Sequence, residues 1–146
     1  MSVAFNNDNE ILELVRRFES CEMHPADFRH YQHLTVALWY LRQSPYETAS
    51  ERMRAGIQKL ATAYGKTGYH ETITLFWLMV VRDFVAANDC AESICESANR
   101  LVAMYDKNFI NEFYSAELLT SPEAKSHWVV PDLKPLTVLS YAQKFV

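Results

Sequence analysis

One stretch, Tyr69 to Ala86 (YHETITLFWLMVVRDFVA), constrains the fold of this chain more than any other. Its middle, Leu75 to Val81, is seven apolar residues in a row. At helical spacing these residues cover every side of a helix, and such a helix is stable only when other elements surround it. The stretch has 18 residues, so at about 1.5 Å per residue the helix is about 27 Å long, close to the diameter of a small domain. The sequence therefore predicts a central, buried helix.

Composition bounds what can surround that helix. The chain has 146 residues, of which 49% are hydrophobic, and this length supplies one hydrophobic core. Only 3 glycines and 5 prolines are present, which favours long helices joined by short turns over a sandwich or barrel. We expect an all-α fold: one domain over residues 1–146, a bundle of five to six helices around the central one, with an irregular C-terminal tail.

Several functional classes are disfavoured. The net charge is -4 and the basic residues are scattered, so the sequence predicts no nucleic-acid partner. No glycine-rich phosphate loop is visible, so no nucleotide cofactor is expected. The N-terminus has no basic and apolar leader and the central helix has polar ends, which predicts a cytoplasmic protein without a membrane segment. The three cysteines match no metal or redox motif, so free thiols are expected. The oligomeric state is not determined by these features.

Apolar spacing and capping signals predict the other helices. Ser44-Pro45-Tyr46-Glu47 has the form of a capping box, with Pro45 as the first helical residue. Asp89-Cys90-Ala91-Glu92 is interpreted as the cap of a fifth main helix. The predicted helices span about Asn9 to Glu19, His30 to Gln43, Pro45 to Tyr64 with Gly65 as terminator, the central helix to near Asn88, Asp89 to Tyr105, Ala116 to Thr120 after Ser115, and Pro122 to Trp128 after Ser121.

Two histidine groups are the candidate functional residues. His30 and His33 are three residues apart on a predicted helix, so their side chains lie on one face and can converge on one ion. Alone, this HxxH spacing is a common chance pattern. His70 lies at the start of the central helix, where the helix dipole favours a neutral imidazole, the form that binds metals and accepts protons. The same field favours Glu71 as a carboxylate.

Two functional hypotheses follow. In the first, His30, His33 and His70 bind a divalent metal (zinc, iron or manganese), and Glu71 is a fourth ligand or the base that activates a bound water. A small-molecule substrate then lies in a pocket lined by Thr74, Tyr69, Tyr40 and Trp77. In the second, the chain is a non-catalytic module for a small ligand or a protein, and the histidines form a hydrogen-bond network. These two hypotheses differ in whether the ring nitrogens are free or already paired with protein. A third possibility is a pure assembly role, signalled by a large exposed apolar face on the fifth helix or on the tail.

The same residues resemble a family of small helical proteins with no known activity. The resemblance rests on the segments Phe28 to Ala37 (FRHYQHLTVA), Tyr69 to Thr74 (YHETIT) and Phe113 to Leu119, on Ser121 and Ala124, and on Val130-Pro131-Asp132 in the closing VVPD. The first two segments and the closing VVPD fit F-x-H-x-x-H-[LV]-x-V-A, YHET-[IV]-T and V-x-P-D blocks, and the similarity extends from about Phe18 to Pro135. It implies that the two histidine blocks belong to one site. Gln32 departs from the family pattern, in which an acidic residue precedes the second histidine, and this weakens the implied site.

Overall fold

A computed structural model describes residues 3–88 and 91–136. Within these ranges the chain is helical and contains no strand, which confirms the predicted all-α domain. The described chain contains five long helices followed by two short ones, with 3-10 turns at Pro25–Asp27, between the first two helices, and at Phe109–Glu112, before the short ones. The helices are α1 (Asp8–Glu19), α2 (His30–Gln43), α3 (Tyr46–Ala63), α4 (Glu71–Ala87), α5 (Ile94–Met104), α6 (Ala116–Leu119) and α7 (Pro122–Ser126).

The central helix is α4. Phe76, Leu78, Val80 and Val81 have no exposed surface, and Trp77 is only 3% exposed. The helix packs against α2, α3 and α7, so its apolar run is covered from several directions, as predicted. It begins at Glu71, two residues later than the predicted start at Tyr69. No helix in the described part of the chain is both long and apolar enough to cross a bilayer.

Most helix ends follow the local signals. Gly65 has φ +67° directly after the end of α3, the left-handed conformation that glycine adopts at no steric cost. Ser115 Oγ accepts from the Leu118 N–H at 3.1 Å, and Ser121 Oγ accepts from the Ala124 N–H at 3.2 Å. These predicted terminators and caps are confirmed.

Two predicted caps are wrong. The side chain of Ser44 does not cap α3; this extended residue ends α2 instead, and Pro45 is the N-cap position of α3. Ser93 is the N-cap of α5 and forms a capping box with Glu96, whereas the predicted cap residue Asp89 lies outside the described residues. The pattern Ser93-x-x-Glu96 is the stronger signal, because it satisfies donors at both residues.

The segment after α7 is irregular and crosses the bundle next to the start of α4. The buried Thr72 hydroxyl donates to the His127 carbonyl at 2.9 Å and accepts from the Val129 N–H at 3.2 Å. The Tyr114 hydroxyl donates to the Val129 carbonyl at 2.7 Å. The predicted irregular tail is confirmed as far as Leu136, and its remainder, residues 137–146, is outside the described ranges.

Candidate functional site

A cleft of about 290 Å³ lies where the start of α2, the end of α3 and the start of α4 meet. We call it the histidine cleft. It brings together four of the predicted site residues: His33, Tyr69, His70 and Thr74. Its other lining residues are Pro25, Phe28, Ile57, Leu60, Ala61, Lys66, Gly68 and Ile73.

His33 is the unusual member of this group. The residue keeps partial exposure, but its Nε2 atom is buried and has no hydrogen-bond partner in the described part of the chain. A buried polar atom without a partner costs about 1–3 kcal/mol, and native proteins contain few of them. Burial, together with the nearby His30, lowers the pKa of His33 to about 4. The ring is therefore neutral near pH 7, with one N–H and one lone pair available.

A row of aromatic rings fixes the position of His33. Its ring stacks on Phe28 with centroids 5.7 Å apart, and Phe28 stacks on Phe18 at 4.8 Å. Phe18 in turn lies against the backbone of α3 at Gly56, where a Cβ atom would stand 2.5 Å from the Phe18 ring. Glycine at this position is thus required for the close approach of α1 to α3, and the approach holds the wall of the cleft in place.

His70 is fully engaged by the protein. It is the N-cap of α4, and its Nδ1 accepts from the Ile73 N–H at 3.1 Å. Its Nε2 lies 2.6 Å from the Leu119 carbonyl oxygen. Because that carbonyl can only accept, Nε2 carries the proton and the ring is the neutral tautomer. Both nitrogens of His70 serve the fold, joining the start of α4 to α6.

His30 lies outside the histidine cleft. Its Nε2 donates to the Tyr105 carbonyl at 2.9 Å, and its ring meets Trp77 edge-on at 4.6 Å between centroids. Burial lowers the pKa of His30, although the bond to Tyr105 opposes this effect. The ring therefore links α2 to the end of α5.

Glu71 is held in a partly buried ion pair with Arg54. The residue is 9% exposed, and its Oε1 accepts from the Tyr69 hydroxyl at 2.5 Å and from Arg54 Nε at 3.1 Å. Oε2 accepts from Arg54 Nη2. The carboxylate raises the pKa of Arg54, and burial followed by the bond to Glu71 raises the pKa of Tyr69. Both carboxylate oxygens of Glu71, the residue predicted to act as a base or metal ligand, thus already accept hydrogen bonds from protein.

The predicted metal ligands do not form a ligand set. Among the residues that the structure describes, no three His, Cys, Asp or Glu side chains are placed to hold an ion. His30 and His70 each bind a different backbone carbonyl, and Glu71 binds Arg54. Binding of zinc, iron or manganese stays a prediction.

Two predicted pocket residues lie elsewhere. The Tyr40 hydroxyl donates to Glu19 Oε2 at 2.6 Å and ties α2 to α1. Burial raises the pKa of Tyr40, with the Glu19 carboxylate adding to the effect. Trp77 packs against His30 and Phe109 in the core. Neither residue lines the histidine cleft.

The sequence interpretation missed Arg54 and Lys66. Arg54 is 17 positions from Glu71 and belongs to another helix, so no local spacing signals the pair. Lys66 lines the histidine cleft from the turn before α4, and its position four residues before His70 was an available signal. It is the one lining residue with a formal charge, since both histidines there are neutral.

A second, larger depression lies between α3 and α4. This groove has a volume of about 950 Å³ and is lined by Tyr46, Glu47, Ser50, Glu51, Arg54, Leu75, Met79, Arg82, Trp128 and Val130. Its arginines are engaged, Arg54 with Glu71 and Arg82 over the Tyr46 ring at 5.0 Å. Because Arg54 lines the groove and Tyr69 lines the histidine cleft, the group Arg54, Glu71 and Tyr69 forms the wall between them.

Comparison of the chain with known protein families, with curated proteins and with solved structures finds no match. The resemblance drawn from the FRHYQHLTVA, YHETIT and VVPD segments therefore stays a prediction. In the structure, two of these segments are adjacent, because Thr72 of the second binds Val129 of the third.

Proposed function

We propose that this chain is a small-molecule-binding protein and that the histidine cleft is its binding site. The observation that supports the proposal is the buried Nε2 of His33, which has no hydrogen-bond partner among the described residues. The nitrogens that His30 and His70 bury are paired with protein, as expected for the non-catalytic hypothesis. His33 is then the residue that hydrogen-bonds the ligand.

The shape and polarity of the cleft favour a small, largely apolar ligand. Its volume of about 290 Å³ is just below the usual range for ligand pockets, about 300 to 1,000 Å³, and equals that of about ten waters. Phe28, Ile57, Leu60 and Ile73 supply apolar walls. A ligand that hydrogen-bonds His33 removes the cost of the unpaired nitrogen, which is about 1–3 kcal/mol. That gain in binding free energy adds to the gain from burying the apolar surface of the ligand.

Metal-dependent catalysis is the second candidate, and it requires rearrangement. His30 and His70 would have to leave the carbonyls of Tyr105 and Leu119, and Glu71 would have to leave Arg54. Each neutral bond contributes about 0.5–1.5 kcal/mol, and breaking a charged pair costs more. Zinc binding can supply about 10–16 kcal/mol, so a bound ion could drive this change. The observation that favours this candidate is His33 Nε2, which has no hydrogen-bond partner among the described residues.

The test is a screen of small organic fragments by ligand-observed NMR. The variants are His33→Leu and, as a control at an exposed histidine away from the cleft, His127→Gln. We expect fragments that bind the parent and His127→Gln and that lose about tenfold or more in affinity with His33→Leu. Equal binding to all three proteins would overturn the assignment of the site.

Metal analysis of the same preparations separates the two candidates. Protein purified without chelator is analysed for zinc, iron and manganese, together with His33→Ala and His70→Ala. Near-stoichiometric metal that both variants lose would favour the metal-dependent enzyme. The proposal as stated expects no such metal. It also includes a cytoplasmic location. It further includes no nucleic-acid partner, and the net charge of -4 supports that part.

A further inference from the structure

We infer that the ligand of the histidine cleft is a small monocarboxylate with an apolar body, and that Lys66 pairs with its carboxylate. This inference rests on the proposed function and specifies the chemical class of the ligand. Its basis is the distribution of charge and of hydrogen-bonding groups over the lining residues.

A single positive charge faces the cleft. Lys66 is the one charged lining residue, and no ion pair involving it exists within the described ranges. Glu71, the one buried carboxylate among the described residues, is neutralised by Arg54 and accepts from the Tyr69 hydroxyl. An anionic ligand is therefore attracted, whereas a cationic ligand meets repulsion without a compensating carboxylate.

The hydroxyl groups inside the cleft direct the anion to the rim. The Tyr69 hydroxyl already donates to Glu71, and the Thr74 hydroxyl donates to the His70 carbonyl at 2.8 Å. Both oxygens can only accept from a ligand, so they repel a carboxylate placed beside them. Lys66 is exposed, and the ligand's charge consequently lies at its end of the cleft, with the apolar body inside.

His33 supplies the interior hydrogen bond. Its neutral ring can donate to or accept from one uncharged polar group, such as a hydroxyl on the ligand body. Phe28, Ile57 and Ile73 line the cleft and supply apolar contacts to an aromatic or short aliphatic body. The best ligand thus carries a carboxylate at one end and a hydroxyl near the other. The carboxylate tests the role of Lys66, and the hydroxyl tests the role of His33.

The experiment measures dissociation constants for matched compounds by ligand-observed NMR at pH 7. The probes are 4-hydroxyphenylacetate, its primary amide and phenylacetate, with a short aliphatic series of hydroxy acids, their amides and the unsubstituted acids. The proteins are the parent, Lys66→Met, His33→Leu and Lys125→Met. Lys125 is exposed on α7 outside the cleft, so the last variant controls for the change in net charge.

We expect acids to bind about threefold to tenfold more tightly than their amides at low salt, because a rim pair is partly screened. Lys66→Met should remove this difference and Lys125→Met should preserve it. Amides that bind the parent as tightly as acids, or an acid preference that survives Lys66→Met, would overturn the carboxylate assignment. The proposed function would survive that result.

A separate outcome tests the proposed function itself. The hydroxyl-bearing compounds should lose their advantage over the unsubstituted ones in His33→Leu, while the acid preference persists. If no acid or amide binds the parent, or if binding is the same in His33→Leu, the histidine cleft is not the site and both proposals fail.

Discussion

The histidine cleft and the groove between α3 and α4 share a wall but differ in what their side chains lack. The groove is the larger, about 950 Å³ against 290 Å³, yet its two arginines are engaged, and Glu47 and Glu51 are exposed to water. The cleft contains a buried imidazole nitrogen with no partner among the described residues. The groove also contains a buried hydroxyl oxygen without a partner among the described residues, Ser50 Oγ, but a hydroxyl hydrogen can rotate toward a neighbouring acceptor. The His33 ring is held by its stack on Phe28, so its partner has to come from a ligand or a water in the cleft. Volume alone therefore does not identify a site.

The largest expected effect is on the stability of the protein at acidic pH, and it comes from His33 in the cleft. His33 has a folded-state pKa of about 4, below the ordinary value of 6.5. Between these values the unfolded chain binds more protons, so the free energy of unfolding falls as pH decreases from 6.5 to 4. The loss attributable to His33 reaches up to about 3 kcal/mol. Urea unfolding of the parent and of His33→Leu at several pH values measures it as the difference between the two curves.

Parallel curves for the two proteins over this range would show that His33 is solvated like an ordinary histidine. His127→Gln, at an exposed position, is the control and should follow the parent.

The second effect concerns the shared wall. Glu71→Ala leaves Arg54 and Tyr69 without their acceptor, and we expect a loss of about 2–3 kcal/mol in the free energy of unfolding. The figure is below that of a fully buried pair because the Arg54 side chain is 39% exposed and partly screened. Denaturant titration measures it. Arg54→Ala should cost at least as much, because it leaves the more buried charge, the Glu71 carboxylate, without its cation. A cost below about 0.5 kcal/mol for Glu71→Ala, typical of an ordinary surface change, would contradict the account.

The third effect tests the ring stack behind the cleft. Gly56→Ala places a Cβ atom 2.5 Å from Phe18, so we expect about 1–2 kcal/mol of destabilisation despite the better helix propensity of alanine. Gly68→Ala is the matched control, because no atom lies within 4 Å of its Cβ position. Thermal unfolding compares the two, and an equal effect would show that Phe18 moves aside freely.

The smallest effect has the opposite sign. His33→Leu removes an unpaired polar atom from the cleft wall, and we expect the free energy of unfolding at pH 7 to rise by about 1 kcal/mol. His30→Leu should lower it, because the Tyr105 carbonyl loses its donor. A fall in stability for both substitutions, measured in urea, would mean that His33 has a structural role like that of His30.

Much of the fold was predictable because its signals are local. The seven apolar residues from Leu75 to Val81 identify the buried helix, and Ser115 and Ser121 identify the starts of two short ones. Ser44 failed as a cap because α3 begins at Tyr46, one residue later than predicted, so that Pro45 occupies the N-cap position and Ser44 ends α2. A local pattern cannot determine which of two adjacent helices its residue belongs to.

The candidate site was predictable only in part. Sequence spacing identified the histidines, and the structure places His33 and His70 on one cleft. Sequence spacing could not assign the roles of these histidines. The partners of His30 and His70 are the carbonyls of Tyr105 and Leu119, and a backbone carbonyl has no sequence signature. The partner of Glu71, Arg54, also had no sequence signal, because it is 17 positions away along the chain.

The most direct test of the central claim is a long-range ¹H–¹⁵N correlation spectrum of the histidine side chains, recorded from pH 3.5 to 8. We expect the His33 ring to stay neutral down to about pH 4, and the His70 ring to be the Nε2-protonated tautomer near pH 7. On addition of a ligand found in the screen, the His33 nitrogens should shift and those of His30 should not. A His33 ring that titrates near 6.5, or that does not respond to the ligand, would contradict the account.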